Sequence, residues 1–257
     1  MTIERATGQS PLDNENYVHI HTEDITISKS LKGAVAKPDG KGPHPGIVVI
    51  MEAYGLNNHI RETLKLLASH GYWAVSPDIY HGHVYDYSDG SNAMTELSRL
   101  NDDRVMDEVG QTLDYMGTHS GVKKDAIGIT GFCMGGRYTF LAMATFPRRF
   151  HAGVSFYGGS IGNTTKDGLG RSGVLSHAAK IEHPILLLYG ADDPSIPADE
   201  HGRISETLTR LKKEYQLAVF QNAGHAFFNW DRTNFSRPAA NRAWRTASRF
   251  FEIYLAR

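Results

Sequence analysis

The sequence has a single cysteine, no apolar run of membrane-spanning length and no excess of either charge among its 257 residues. One cysteine cannot form a disulfide within the chain, so the signature of an oxidising compartment is missing. The 27 lysines and arginines nearly balance the 28 aspartates and glutamates. This balance argues against nucleic acid and anionic membranes as partners, because both attract basic proteins. The polar N-terminal stretch has no apolar region typical of a signal peptide, so we expect a cytoplasmic protein.

Residues 1–16 are polar and have no period, which predicts a flexible N-terminal arm. The remaining chain, 17–257, has no composition shift, repeat or linker that would divide it. A chain of this length commonly forms one α/β domain, and that is our prediction for 17–257. For the assembly we expect a monomer or a weak homodimer.

Short apolar runs alternate along the chain with patterns of helical period. The runs, typical of strands buried on both faces, span 45–51, 72–78, 126–132, 151–158, 184–190 and 215–221. The helical patterns span 58–70, 93–118, 134–146, 200–213 and 236–256. Before them, 17–28 and 31–36 read as an antiparallel strand pair. The order predicts an α/β fold with a mostly parallel, doubly wound sheet flanked by helices, and the antiparallel pair at its N-terminal edge.

The motif GFCMGG at 131–136 lies between a predicted strand and a predicted helix, with Cys133 at its centre. A nucleophile between glycines at such a turn is held at the carboxyl end of the sheet. The helix N-terminus also favours the thiolate form of the cysteine. The plainer alternative is a buried structural cysteine, since free cysteines are often buried.

An acid and a histidine follow in the order that this topology requires of a catalytic triad. Asp192 and Asp193 come directly after the strand at 184–190, and His225 follows the strand at 215–221. Each residue could also be an ordinary loop residue, because aspartate before proline and histidine beside glycine are common in loops. The order of the three, each after a strand end, favours a Cys-His-Asp triad.

These motifs carry a resemblance to a known family. GFCMGG, the aspartate in GADDPSIP and the histidine in GHAF resemble the carboxymethylenebutenolidase-like dienelactone hydrolase family of the α/β-hydrolase superfamily, over about 17–255. The resemblance implies an α/β-hydrolase fold, with Cys133 as nucleophile and His225 as base. It favours Asp193 over Asp192 as the acid, because the pattern D-x-x-I-P begins at Asp193.

The resemblance also implies a role for the residues after the strand at 45–51. Glu52 matches a family glutamate that holds the resting thiol, takes its proton and releases the cysteine to the histidine when substrate enters. A carboxylate directly after an apolar run is costly unless it is paired, which independently marks Glu52 as a site candidate. The backbone N–H groups of Ala53 and Met134 would form the oxyanion hole, Met134 being the residue after the nucleophile.

The sequence departs from the family at the two arginines that grip a dienelactone carboxylate. His81 and Asn229 stand in their places, and Arg137 and Arg232 lie near in sequence. Loss of an arginine clamp weakens binding of an anionic lactone, so we expect a more neutral substrate than a dienelactone. Aromatic residues next to the strand ends suggest a pocket for it. The predicted substrate-binding residues are Tyr54, Tyr80, His81, Tyr85, Tyr157, Asn229 and Trp230.

We therefore expect a hydrolase that cleaves small ester or lactone bonds through an acyl-enzyme on Cys133. The proposed chemistry needs no metal and no cofactor. Two alternatives stay open. The same triad could act on a thioester or a phosphorus ester, or Cys133 could serve as a non-catalytic thiol or redox sensor on a hydrolase scaffold.

Overall fold

The computed structural model describes residues 19–255 and contains one eight-stranded sheet in the order β1-β2-β4-β3-β5-β6-β7-β8. The predicted arm over 1–16 lies outside the described residues. The strands are β1 (Ile20–Thr26), β2 (Lys32–Pro38), β3 (His44–Ile50), β4 (Trp73–Pro77), β5 (Val122–Phe132), β6 (Ala152–Phe156), β7 (Ile185–Gly190) and β8 (Tyr215–Phe220).

The sheet is parallel from β4 through β3 to β8, and β1 and β2 form an antiparallel pair at one edge. Strand β2 also pairs with β4 in the antiparallel sense. The predicted mostly parallel sheet with an antiparallel N-terminal pair is confirmed. One detail was wrong. The run at 215–221 was expected to be buried on both faces, but β8 is an edge strand and Val219 is 38% exposed.

Helices cover both faces of the sheet. They are α1 (Asn58–Ser69), α2 (Gly90–Ser98), α3 (Asp102–Thr118), α4 (Met134–Thr145), α5 (Ala198–Arg210) and α6 (Arg237–Leu255), with a short 3₁₀ helix at Leu175–Lys180. The ring of His70, directly after α1, lies 5.1 Å from that of Trp244 in α6, so these two helices share one face. Helices α3 and α4 pack together on the other. No helix within 19–255 is long and apolar enough to cross a membrane.

The single helix expected over 93–118 is two helices. Helix α2 ends before Arg99, and α3 begins after Asn101. Asn101 Oδ1 accepts hydrogen bonds from the backbone N–H groups of Asp103 (2.9 Å) and Arg104 (3.1 Å), which caps α3. The apolar period continues across the gap, so the pattern concealed the break.

Helix α4 is buried along nearly its whole length and touches the sheet through backbone atoms. A Cβ atom at Gly135 would lie 2.3 Å from the carbonyl oxygen of Ile50, at the end of β3. A Cβ at Gly136 would lie 2.7 Å from the carbonyl oxygen of Phe156, at the end of β6. Glycine at both positions lets the first turn of α4 sit between these two strand ends.

We expect Gly135→Ala to lower the free energy of unfolding by about 1–3 kcal/mol, because the added methyl collides with a backbone carbonyl that cannot rotate away. The matched control is Gly202→Ala in α5, where a Cβ meets nothing within 4 Å. There the higher helix propensity of alanine should raise stability by up to about 1 kcal/mol. Urea denaturation measures both. Stabilisation by both substitutions would show that α4 does not need the close approach.

Candidate active site

Cys133 is the residue between the end of β5 and the start of α4. Its φ of 56° and ψ of −116° place a non-glycine residue in a strained backbone conformation. Two backbone hydrogen bonds hold the turn, from the Cys133 N–H to Phe156 O (3.1 Å) and from the Gly136 N–H to Cys133 O (3.0 Å). The side chain is partly exposed. The turn therefore presents the thiol at the carboxyl edge of the sheet, at the N-terminus of a helix.

Asp193 and His225 meet at the same edge, after β7 and β8. His225 Nδ1 lies 2.7 Å from Asp193 Oδ2, and the Asp193 side chain is fully buried. The other oxygen, Oδ1, accepts the backbone N–H of Ser195 at 2.8 Å. Asp192 is exposed to solvent. Of the two adjacent aspartates, Asp193 is thus the one the structure pairs with His225.

The electrostatics of His225 show that Cys133 is close to it. Burial acts to lower the pKa of His225, but attraction to Cys133 and hydrogen bonds with Asp193 and Cys133 outweigh it and raise the pKa to about 10. Cys133 is therefore one of the groups that favour the charged imidazole. The structure pairs Asp193 with His225, and Cys133 acts on the same ring.

Glu52, directly after β3, is buried and held by three neutral donors. Its Oε1 accepts hydrogen bonds from Tyr87 Oη (2.7 Å), Asn229 Nδ2 (2.8 Å) and Asn57 Nδ2 (3.3 Å). None of the hydrogen bonds found for Glu52 in the described chain comes from Cys133. The role that the resemblance implies for Glu52, which is to hold the resting thiol, stays a prediction.

Asn229 and His81, expected to bind substrate, are committed to other residues. Asn229 is fully buried; its Nδ2 donates to Glu52 and Tyr87, and its Oδ1 accepts the Asp231 N–H at 3.0 Å. His81 Nε2 lies 2.9 Å from Glu108 Oε1. We correct the expectation for Asn229, because its polar atoms already have protein partners. His81 faces a carboxylate of α3 rather than the triad.

The two arginines that lie near the substrate-binding positions in sequence, Arg137 and Arg232, differ in their contacts. Arg137 is buried and bound at both guanidinium ends to Asp102, at 2.7 and 2.8 Å, so it does not serve the site. The Arg232 guanidinium lies 5.3 Å from the centre of the Tyr54 ring and 5.4 Å from that of Tyr87. None of the ion pairs between described residues includes Arg232. It is therefore the arginine that lies beside Glu52 and its partners.

The aromatic residues expected to bind substrate differ in their burial and in their contacts at this edge of the sheet. Tyr157 is fully buried with a φ of 38°, and its ring lies 5.3 Å from the His225 ring. The hydroxyls of Tyr157 and Tyr80 are buried and have no hydrogen-bond partner in the described part of the chain. Burial raises the pKa of both phenols, and Cys133 adds to each shift. Both hydroxyls are thus neutral donors near the thiol.

The other three aromatic residues expected to bind substrate each pack against a neighbouring ring. The Tyr54 ring packs edge-on against Tyr87 at 4.7 Å, and the Tyr85 ring packs against Tyr80 at 6.3 Å. Trp230 instead packs against His59, whose ring centre lies 4.4 Å from its own. Burial lowers the pKa of His59 to about 3, so this histidine is neutral and forms part of the packing under the site.

The backbone amides expected to form the oxyanion hole are available. Neither Ala53 N–H nor Met134 N–H donates any of the hydrogen bonds found among residues 19–255. Met134 is the first residue of α4, and the next residue, Gly135, packs closely against the end of β3, where a Cβ would lie 2.3 Å from Ile50 O. The role of Ala53 and Met134 as an oxyanion hole stays a prediction.

Tyr87 and Asn57 were missed from the sequence. Neither belongs to a motif, since Tyr87 lies in an irregular loop and Asn57 caps α1 by accepting the Ile60 N–H at 3.2 Å. The residues described in the structure contain no group of three or more His, Cys, Asp or Glu that could hold a metal ion.

An eight-stranded sheet with helices on both faces and a sharp turn with positive φ between β5 and α4 is the architecture of an α/β hydrolase. Comparison with known proteins narrows this class. The dienelactone hydrolase family matches residues 31–255, and the chain belongs to that family.

Individual relatives agree with this assignment. A carboxymethylenebutenolidase-like protein from Yersinia pestis is 32% identical over 232 residues, covering 88% of this chain and 85% of that protein. A 2-oxo-3-(5-oxofuran-2-ylidene)propanoate lactonase-like protein from Bradyrhizobium is 30% identical over 220 residues, covering 85% and 88%. The crystal structure of a dienelactone hydrolase-like protein from Klebsiella pneumoniae matches with a TM-score of 0.84 at 29% identity, covering 92% of this chain and 100% of that one. The chain is thus an ester or lactone hydrolase.

Asp193→Asn should lower the pKa of His225 from about 10 towards 6.5, because it removes a carboxylate that favours the charged imidazole. Asp192→Asn, which alters the exposed neighbour, should leave that pKa unchanged. The NMR titration of the His225 ring measures both. Equal titration curves in the two variants would show that Asp193 does not control the charge of His225.

Proposed function

We propose that the protein hydrolyses small carboxylic esters or lactones with Cys133 as nucleophile, His225 as general base and acid, and Asp193 as the residue that orients His225. The observation that supports this proposal best is the 2.7 Å contact between His225 and Asp193, together with the effect of Cys133 in raising the pKa of the same imidazole. A thiolate at a strained turn and a helix N-terminus is an activated nucleophile.

In the proposed reaction the Cys133 sulfur attacks the carbonyl carbon, and the carbonyl oxygen becomes an oxyanion that the amides of Ala53 and Met134 stabilise. The bond to the leaving alkoxide breaks as the intermediate collapses, and His225 gives the alkoxide a proton. An acyl-enzyme remains. Water then attacks the acyl carbon while His225 takes its proton, and the second collapse releases the acid and restores the thiolate and imidazolium.

We further propose that the substrate is more neutral than a dienelactone. The positions that the resemblance assigns to carboxylate-binding arginines hold His81, paired with Glu108, and Asn229, paired with Glu52. Glu52 adds a buried negative charge at this edge, which repels an anion. Arg232, whose guanidinium lies over the rings of Tyr54 and Tyr87, offers a compensating cation. The rest of the wall is neutral, with the unpaired hydroxyls of two tyrosines as donors to an uncharged polar group.

Cys133→Ala should abolish ester turnover while the fold persists, because this side chain serves chemistry far more than packing. Cys133→Ser should keep only a small fraction of activity, since a helix terminus and an imidazolium activate a thiol better than a hydroxyl. A chromogenic ester assay and thermal unfolding measure activity and fold. Substantial turnover by Cys133→Ala would disprove the covalent mechanism. A wild-type protein that reacts with peroxide but hydrolyses no ester would favour the thiol sensor.

The charge preference is tested with two lactones of equal size, one neutral and one with a carboxylate. We expect kcat/KM to favour the neutral lactone by about tenfold, which corresponds to roughly 1.4 kcal/mol. Arg232→Gln should widen this ratio, since it removes the nearby cation. An anionic preference that disappears in Arg232→Gln would show that Arg232 binds the carboxylate, and would make a dienelactone-type substrate the better assignment.

A further inference from the structure

Tyr157 is the residue directly after β6, and its backbone is bonded to the turn that carries Cys133. The peptide bond that leads into Tyr157 has the Phe156 carbonyl, which accepts the Cys133 N–H at 3.1 Å. The N–H of the same peptide bond belongs to Tyr157 and donates to Leu188 O, in β7, at 2.7 Å. These bonds hold Tyr157 at a φ of 38°, a strained value for a residue with a side chain.

The Tyr157 ring packs among aromatic residues at the candidate triad. Its centre lies 5.3 Å from that of the His225 ring, with an angle of 62° between the two planes. It also lies 5.3 Å from the Phe227 ring and 6.2 Å from the Phe132 ring. Because Phe132 directly precedes Cys133, the Tyr157 ring contacts both the segment of the nucleophile and the imidazole of the candidate base.

The Tyr157 hydroxyl is a buried donor without an acceptor. The residue is 0% exposed, and its oxygen has no hydrogen-bond partner in the part of the chain that the structure describes. Burial raises the pKa of this phenol, and Glu52 and Cys133 raise it further, so the hydroxyl keeps its proton. A buried hydroxyl without a partner lowers the stability of the fold and requires an explanation. An acceptor on a bound substrate would supply one.

The order of the strands places Tyr157 on one side of the nucleophile. Strand β3, which leads to Ala53, and strand β6, which leads to Tyr157, flank β5 on opposite sides. In the proposed reaction the carbonyl oxygen is bound by the Ala53 amide, on the β3 side. The leaving oxygen takes its proton from His225, whose ring packs against Tyr157. Tyr157 and the leaving oxygen therefore lie on the same side of Cys133.

We propose that Tyr157 is a further catalytic residue, whose hydroxyl donates a hydrogen bond to the leaving oxygen of the ester or lactone while His225 gives that oxygen a proton. This rests on the proposed function. No covalent bond of Tyr157 changes, because the phenol keeps its own proton. Its hydrogen bond stabilises the negative charge that develops on the leaving oxygen as the carbon–oxygen bond breaks.

Two esters of the same acid test this role, an ethyl ester and a 4-nitrophenyl ester. The ethoxide is the stronger base and needs more stabilisation as it leaves, whereas 4-nitrophenolate leaves readily without help. Tyr157→Phe removes the hydroxyl and keeps the ring beside His225. We expect it to lower kcat/KM at least about tenfold for the ethyl ester and no more than about threefold for the 4-nitrophenyl ester.

Tyr138→Phe is the matched control. Tyr138 is also fully buried, but it lies in α4 beside the ion pair of Arg137 and Asp102, and the Arg137 guanidinium is 5.3 Å from its ring centre. It should leave kcat/KM for both esters within about twofold of wild type. Thermal unfolding is measured for both variants. Tyr157→Phe should be at least as stable as wild type, because it removes a buried hydroxyl that has no partner.

Three outcomes would overturn the role of Tyr157. An unchanged kcat/KM of Tyr157→Phe for both esters would show that the reaction does not use the hydroxyl. An equal loss for both would show that Tyr157 acts through the orientation of His225 and not on the leaving oxygen. Unfolding of Tyr157→Phe would show that the hydroxyl supports the fold.

Failure of the proposed function would look different. Wild-type enzyme would then hydrolyse neither ester, or Cys133→Ala would hydrolyse both at the wild-type rate. Either result would overturn the two proposals together. A loss of the leaving-group effect in Tyr157→Phe, with Cys133→Ala inactive, would remove the role of Tyr157 alone and leave the triad in place.

Discussion

The first turn of α4 meets the ends of β3 and β6 through backbone atoms, and the position of Cys133 depends on this contact. The space allows no side chain at Gly135 or Gly136. With the helix start fixed there, the residue before it must turn sharply, which accounts for the positive φ of Cys133. The strained conformation is held by backbone hydrogen bonds of Cys133, one to the end of β6 and others from the first turn of α4.

The same contact arranges the charges of the site. It places the thiol at the N-terminus of α4, while Asp193 after β7 and His225 after β8 meet at the same edge of the sheet. Each buried carboxylate there has its own donors, Asp193 from His225 and Ser195 and Glu52 from its cluster. Two negative groups can thus lie near one thiol without sharing a partner.

The sequence could reveal those features that are coded locally. The parallel sheet follows from short apolar runs, and Cys133, Asp193 and His225 stand in motifs next to strand ends. Contacts between distant residues could not be read in this way. Tyr87 binds Glu52 across 35 positions and Asn229 binds it across 177, and no pattern in either segment marks them. The break between α2 and α3 could not be predicted, because the apolar period continues through it. The edge position of β8 could not be predicted either, because an edge strand can be as apolar in sequence as a central strand.

The departures from the family resemblance at positions 81 and 229 share one feature, because each side chain is already bonded to a buried carboxylate. His81 Nε2 lies 2.9 Å from Glu108 Oε1, and the Asn229 amide donates to Glu52. Asn229 is fully buried and donates to Tyr87 as well, so its amide is not free to bind a substrate carboxylate. Since neither position supplies an unpaired cation, both support the proposal of a more neutral substrate.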